Sequence, residues 1–142
     1  MKAPLMLFLM IFLHIYADFN MQGILSRMKQ RRWWEKQFVN PSEFNRSKYK
    51  RDYQIAIIVH GFEWSFVVMI PMLYKIFVDT VSNDISSIAI YTAFLITNTY
   101  FHCAVDNSKA NEGSINLITD QALHLVQIFV TWIVWTLLFG WK

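Results

Sequence analysis

Four apolar stretches dominate this chain, each long enough for a helix to cross the roughly 30 Å hydrocarbon layer of a bilayer, which takes about 20 residues. They lie at about residues 4–28, 54–78, 86–107 and 115–141. A soluble globule of 142 residues does not need runs of that length, and with 55% of residues hydrophobic and 16% charged the composition departs from soluble averages in the same direction. The expectation is an all-α fold: a four-helix transmembrane bundle of up-down connectivity, forming one integral membrane domain over residues 1–142. Pro4 is tolerated in a first turn, whereas Pro71 is expected to kink the second span.

The first stretch also admits a signal-peptide reading, with Lys2 as its charged start and Ala17 as a small residue before Asp18. His14, Ile15 and Tyr16 suit a cleavage site poorly, and the helical pattern runs on through Asp18, Gln22 and Leu25. An uncleaved helix is therefore expected. The single Cys103 excludes an internal disulfide; lying beside His102 in a helix, it reads as a small packing residue rather than a ligand.

Charge placement sets the orientation. Nine of the thirteen Lys and Arg residues fall between Arg27 and Arg51, in the loop joining the first two spans, so the positive-inside rule makes that loop cytoplasmic. The second loop, VDTVSNDIS, carries only Asp79 and Asp84 and belongs outside, as does the N-terminus. Counting spans then puts NSKANEGS on the cytoplasmic side and the C-terminus outside. The first loop interleaves its cations with Trp33, Trp34, Phe38, Phe44, Tyr49 and Tyr53, a pattern of interfacial segments that rest on anionic headgroups, with a short surface helix expected before a break at Pro41. Because spans flank this basic block on both sides, nucleic acid is not an expected partner. Trp132, Trp135 and Trp141 anchor the end of the last span.

Within this apolar background stand four histidines, three of them four residues from an aspartate: His14/Asp18, His102/Asp106 and Asp120/His124. Uncompensated, three intramembrane carboxylates would cost roughly 8–10 kcal/mol, at about 2.5–3.5 kcal/mol each. At about 3.6 residues per turn, positions i and i+4 share one helix face. Gln22 extends the His14/Asp18 face and Asn98 the His102/Asp106 face. The topology puts His14, Asp18, His60, His102, Asp106, Asp120 and His124 at similar depth, toward the cytoplasmic leaflet, and lipid cannot satisfy them, so they should face one another.

A metal ion answers that requirement. Bundles build metal sites from facing helices, and these seven side chains can supply one ion with supporting partners or two ions sharing a carboxylate. Mixed nitrogen and oxygen ligation suits zinc first, with manganese or iron as alternatives. A catalytic centre would leave a position for water, with Asp18 or His60 as candidate general base and Lys109 stabilising developing negative charge. Without a metal, Asp106 or Asp18 would pair with Lys109 or Lys29 in a structural polar network, and Glu63, one turn from His60, would join either arrangement. A proton or ion pathway is a third reading; it needs polar residues on both sides of the site, and outer segments such as FVVMI and WIVWTLLF offer few.

HIYADFNMQ (His14 to Gln22), His60, HCAVDNSK (His102 to Lys109) and DQALHL (Asp120 to Leu125) resemble a family of small multi-spanning membrane proteins of bacteria and phages, catalogued as a domain of unknown function. The motifs H-x3-D-F-x2-Q, H-x3-D-x2-K and D-Q-x2-H cover nearly the whole chain, while the aromatic, basic first loop is longer than the pattern requires. The resemblance implies that Gln22, Lys109 and Gln121 join the site, Lys109 and Gln121 with Asp18 and His60 on the catalytic side. A looser similarity to small inner-membrane metal-dependent hydrolases implies a hydrolase acting on a lipid, phosphoester or peptide in the bacterial cytoplasmic membrane. The alternative function is a non-enzymatic membrane protein whose basic aromatic loop binds a membrane-protein partner.

Overall fold

A computed structural model describes residues 2–78 and 85–140, and among them every regular element is helical. Helix α1 (Ala3–Tyr16) starts with Pro4 in its first turn and runs on as a π-helical segment, Ala17–Met21. Gly23, at φ +48°, then takes a left-handed conformation open mainly to glycine and stops the helix, so the first apolar helix ends at Met21 rather than near Met28. Three short helices follow: α2 (Leu25–Met28), α3 (Arg31–Glu35) and α4 (Pro41–Arg46). The short helix expected before Pro41 is α3, whereas Pro41 itself opens α4, where a missing N–H is harmless.

The second apolar stretch forms α5 (Asp52–Val68) and α6 (Ile70–Val78), bent by 47°. The kink expected at Pro71 falls just before it, at Met69. Proline cannot donate to the carbonyl four residues back and crowds the preceding turn. Helix α7 (Ile85–Asn107) continues as a second π-helical segment, Ser108–Glu112, ended by Gly113 at φ +65°. Helix α8 (Leu117–Phe139) is capped by the Asn116 side chain, which accepts from Thr119 N–H at 2.9 Å. Asp79, Asp84, Trp141 and Lys142 lie outside the described residues.

Three helices, Ala3–Met21, Ile85–Glu112 and Leu117–Phe139, are long and apolar enough to cross a membrane, and the bent α5–α6 pair makes a fourth if it is one span. Only 28%, 17% and 22% of their apolar windows are buried, so most of this surface faces outward. Helix α1 touches α5 and α8, α5 touches α7, and α7 touches α8. The interior is divided along its length. One half is filled by Met6, Met10, Val68, Met72, Ile128 and Trp135. The other half, made by the ends of α1 and α7 and the starts of α5 and α8, holds the histidines and aspartates.

Segments α2 and α3 close this polar end by packing on α5 and, for α3, on the second π segment. Their aromatics are partly turned inward. Phe44, read from sequence as interfacial, is fully buried beside Phe38 and under the Arg31 guanidinium, while Trp34 donates its indole N–H to Met28 O at 2.7 Å.

Candidate metal centre

Six of the seven expected ligands converge. Asp18, His60, His102, Asp106, Asp120 and His124 are all buried, and their donor atoms fall into three overlapping sets, each within 4.8 Å: Asp18/His60/His102, His102/Asp106/His124 and Asp18/Asp120/His124. Nearest separations are 3.4 Å from His60 Nε2 to Asp18 Oδ1, and 3.6 Å from His60 Nε2 to Asp106 Oδ2. His102 Nε2 lies 3.7 Å from Asp106 Oδ2; His124 Nε2 lies 3.8 Å from Asp106 Oδ1 and 3.6 Å from Asp120 Oδ1.

These spacings discriminate between uses. Good N–H···O bonds are about 2.7–3.2 Å long, so the groups do not satisfy one another by hydrogen bonding. Tetrahedral ligands about 2.0–2.2 Å from one ion lie about 3.3–3.6 Å apart, close to what is found. In keeping with this, His60 Nε2, both ring nitrogens of His102 and His124, Asp106 Oδ1 and Asp120 Oδ1 are buried without a hydrogen-bond partner. Each such group costs roughly 1–3 kcal/mol when left unsatisfied. The donor set fits a divalent cation.

The remaining carboxylate oxygens are held from outside. Lys29 Nζ donates to Asp106 Oδ2 at 2.7 Å, Lys109 Nζ donates to Asp120 Oδ2, and Gln121 Nε2 donates to Asp18 Oδ2 at 2.9 Å and Asp120 Oδ2 at 3.0 Å. Gln22 Nε2 donates to Asp18 Oδ1 at 3.2 Å. Asp106 and Asp120 thus each have one oxygen fixed by a lysine and one unpartnered oxygen near His124. Such outer contacts orient metal ligands. Of the pairings of Asp106 or Asp18 with Lys109 or Lys29 that the sequence allowed, Lys29–Asp106 forms, with Lys29 brought back by the turn at Gly23, whereas Lys109 takes Asp120 instead.

His14 stands apart from the ligand sets. Its Nδ1 accepts the Trp64 indole N–H at 2.9 Å, so neutral His14 carries its proton on Nε2 and has no lone pair left for an ion. The face it was expected to share with Asp18 is altered where the wider i→i+5 turn of the π segment replaces α-helical register. Trp64 went unremarked in the sequence, though it lies four residues after His60 on one face. Its ring stacks on His102 (4.3 Å between centroids), which stacks on His124 (4.2 Å), walling the site from the apolar half.

Glu63 is half-buried and joins neither network among the described residues. Asn98 belongs to a separate cluster, accepting from Gln127 Nε2 at 2.8 Å and Thr131 Oγ1 at 3.0 Å. Cys103 packs as expected: its Sγ lies 3.4 Å from Ile57 O and against Gly61, whose lack of a side chain lets α5 and α7 bring His60 and His102 rings to 5.0 Å. Compared with family models, curated proteins and solved structures, the chain matches none.

Proposed function

We propose that the chain is an integral membrane metalloprotein, a four-span single-domain bundle, that uses its buried His/Asp cluster for hydrolysis. The observation that carries this reading is the group of closely spaced, unpartnered donor atoms on His60, His102, Asp106, Asp120 and His124. A structural network explains part of the same cluster, since Lys29 and Lys109 pair with Asp106 and Asp120, but it leaves His60 Nε2 and both ring nitrogens of His102 and His124 without acceptors or donors.

Zinc is the first choice for this donor set, with manganese or iron next. Bound there, a divalent cation supplies Lewis acidity that makes water nucleophilic near neutral pH. His60 and Asp18, at 3.4 Å, are then the groups placed to take up a proton, and Gln121 fixes the second Asp18 oxygen. Asp18 belongs to two of the three ligand sets, which overlap only in that carboxylate, so it would help to hold an ion in either set. Resemblance of the motifs to the bacterial and phage membrane family supports a cytoplasmic-membrane setting, and the basic first loop supports both termini outside and a site near the cytoplasmic leaflet. Substrates reaching it are lipids, phosphoesters or peptides at that surface. The ion-pathway reading is disfavoured by the apolar half, where Met6, Met10, Val68, Met72 and Ile128 fill the space beyond Trp64.

Metal analysis of protein purified in detergent tests the proposal. Stoichiometric metal in the wild type, lost in His102→Ala and Asp106→Ala, is expected. A folded, metal-free wild type whose function depends instead on Trp33 and Trp34 would establish the alternative of a partner-binding membrane protein with a structural polar core.

A further inference from the structure

A cleft of about 590 Å³ opens at the polar end between the Lys29–Arg32 turn and the second π segment. This volume lies within the range of small-molecule sites, about 300–1,000 Å³. Four cations line it: Lys29, Arg31, Arg32 and Lys109. Two of them connect it directly to the candidate metal centre, because the Lys29 and Lys109 ammonium groups end on Asp106 and Asp120 while the same side chains form the cleft wall.

The cleft is a built feature. Asn111 ties its sides together, accepting from Arg31 N–H at 2.7 Å and donating to Lys29 O at 3.1 Å. Its carboxylates are already engaged: Glu35 Oε1 accepts from Arg31 Nε at 2.9 Å, and Glu112 accepts from Asn107 Nδ2 at 2.7 Å and Ser108 Oγ at 3.3 Å. Arg32 differs. Its Nε donates to the neutral Gln30 Oε1 at 2.9 Å, and among the described residues it pairs with no carboxylate. A guanidinium in that state keeps free donors in the planar fork that matches phosphate oxygens.

Charge points the same way. With neutral imidazoles, Asp18, Asp106 and Asp120 against Lys29 and Lys109 leave one net negative charge; one divalent cation reverses this to one net positive, before Arg32 is counted. Buried excess positive charge beside a cationic cleft favours an anion. We propose that this cleft binds the phosphate group of an ester substrate, with Arg32 holding its oxygens and the two lysines bordering its approach to the His/Asp cluster. This names the substrate class for the metal-hydrolase reading and rests on it. An anionic phospholipid headgroup and a soluble phosphate ester offer the same chemistry.

The test uses the full chain after its metal content has been measured. Thermal stabilisation is followed with inorganic phosphate in detergent and, separately, in phosphatidylcholine nanodiscs with and without phosphatidic acid, for wild type, Arg32→Gln and the off-cleft control Lys48→Gln. Stabilisation by either probe is expected, with apparent affinity at least tenfold weaker in Arg32→Gln, unchanged in Lys48→Gln, and metal content equal in all three. A response to phosphatidic acid alone supports a lipid headgroup as the source; a response to inorganic phosphate alone supports a soluble ester. Metal-loaded protein that ignores both probes, or responds equally in Arg32→Gln, overturns the cleft assignment. A metal-free wild type instead overturns the hydrolase reading on which the substrate class depends.

Discussion

At the residue scale, the division of oxygens within each aspartate decides what the cluster can do. A carboxylate whose two oxygens both ended on lysines would be structural, whereas Asp106 and Asp120 each keep one buried oxygen without a partner. Asp18 and His14 offer the sharpest contrast. Asp18→Asn preserves volume and removes a charge shared by two ligand sets, so metal affinity is expected to fall at least tenfold. His14→Leu removes a group that serves Trp64; it leaves the indole N–H buried and unpaired, at roughly 1–3 kcal/mol, and metal content should be retained. Metal analysis and thermal melts on both variants check this, and metal loss in His14→Leu would return that histidine to the ligand set. The i, i+4 spacing was enough to bring together His102, Asp106, Asp120 and His124, because α-helical register holds across α7 and α8. It misplaced His14 because a π segment and a tertiary partner, Trp64, intervene, and neither leaves a periodic trace.

At the element scale, the apolar runs made legible three helices able to cross a membrane, and a fourth span if α5 and α6 form one, while their ends depended on single residues. Gly23 lies within the stretch read as helical through Leu25, yet its left-handed backbone ends the first helix and turns Lys29 onto Asp106. Helix spacing depends on another glycine. A Cβ on Gly61 would meet Cys103 Sγ at 2.5 Å and Thr99 O at 3.3 Å, and backbone cannot rotate away as a thiol can. Gly61→Ala should therefore push α5 from α7, destabilise by about 1–3 kcal/mol and reduce metal occupancy by parting His60 from His102. Cys103→Ala in the same chain removes the closer contact and should recover part of both losses. Melting temperature and metal content of the single and double variants measure it; an unperturbed Gly61→Ala would show that the helices do not need this close approach.

At the scale of the whole molecule, polar and apolar halves are stacked end to end, and the basic loop lies over the polar half. Span counting from charge put the first and third loops on one side. Their contact agrees: Arg31 N–H reaches Asn111 across the cleft, and α3 packs on the second π segment. Composition alone could not reveal that contact, since it joins segments 80 positions apart in the chain. Which face of the membrane they occupy follows from energetics. Nine Lys and Arg residues between Arg27 and Arg51 resist translocation, so the loop, the cleft and the mouth of the His/Asp cluster should be cytoplasmic. Single cysteines in a Cys103→Ala background test this with a membrane-impermeant thiol reagent. Ser42→Cys and Ser114→Cys should label only when the cytoplasmic face is opened, and Lys2→Cys should label in intact cells. Opposite sidedness of Ser42 and Ser114 would break the four-span topology itself. Joint labelling of both from outside would keep the topology, reverse its orientation and move any substrate of this centre to the outer leaflet.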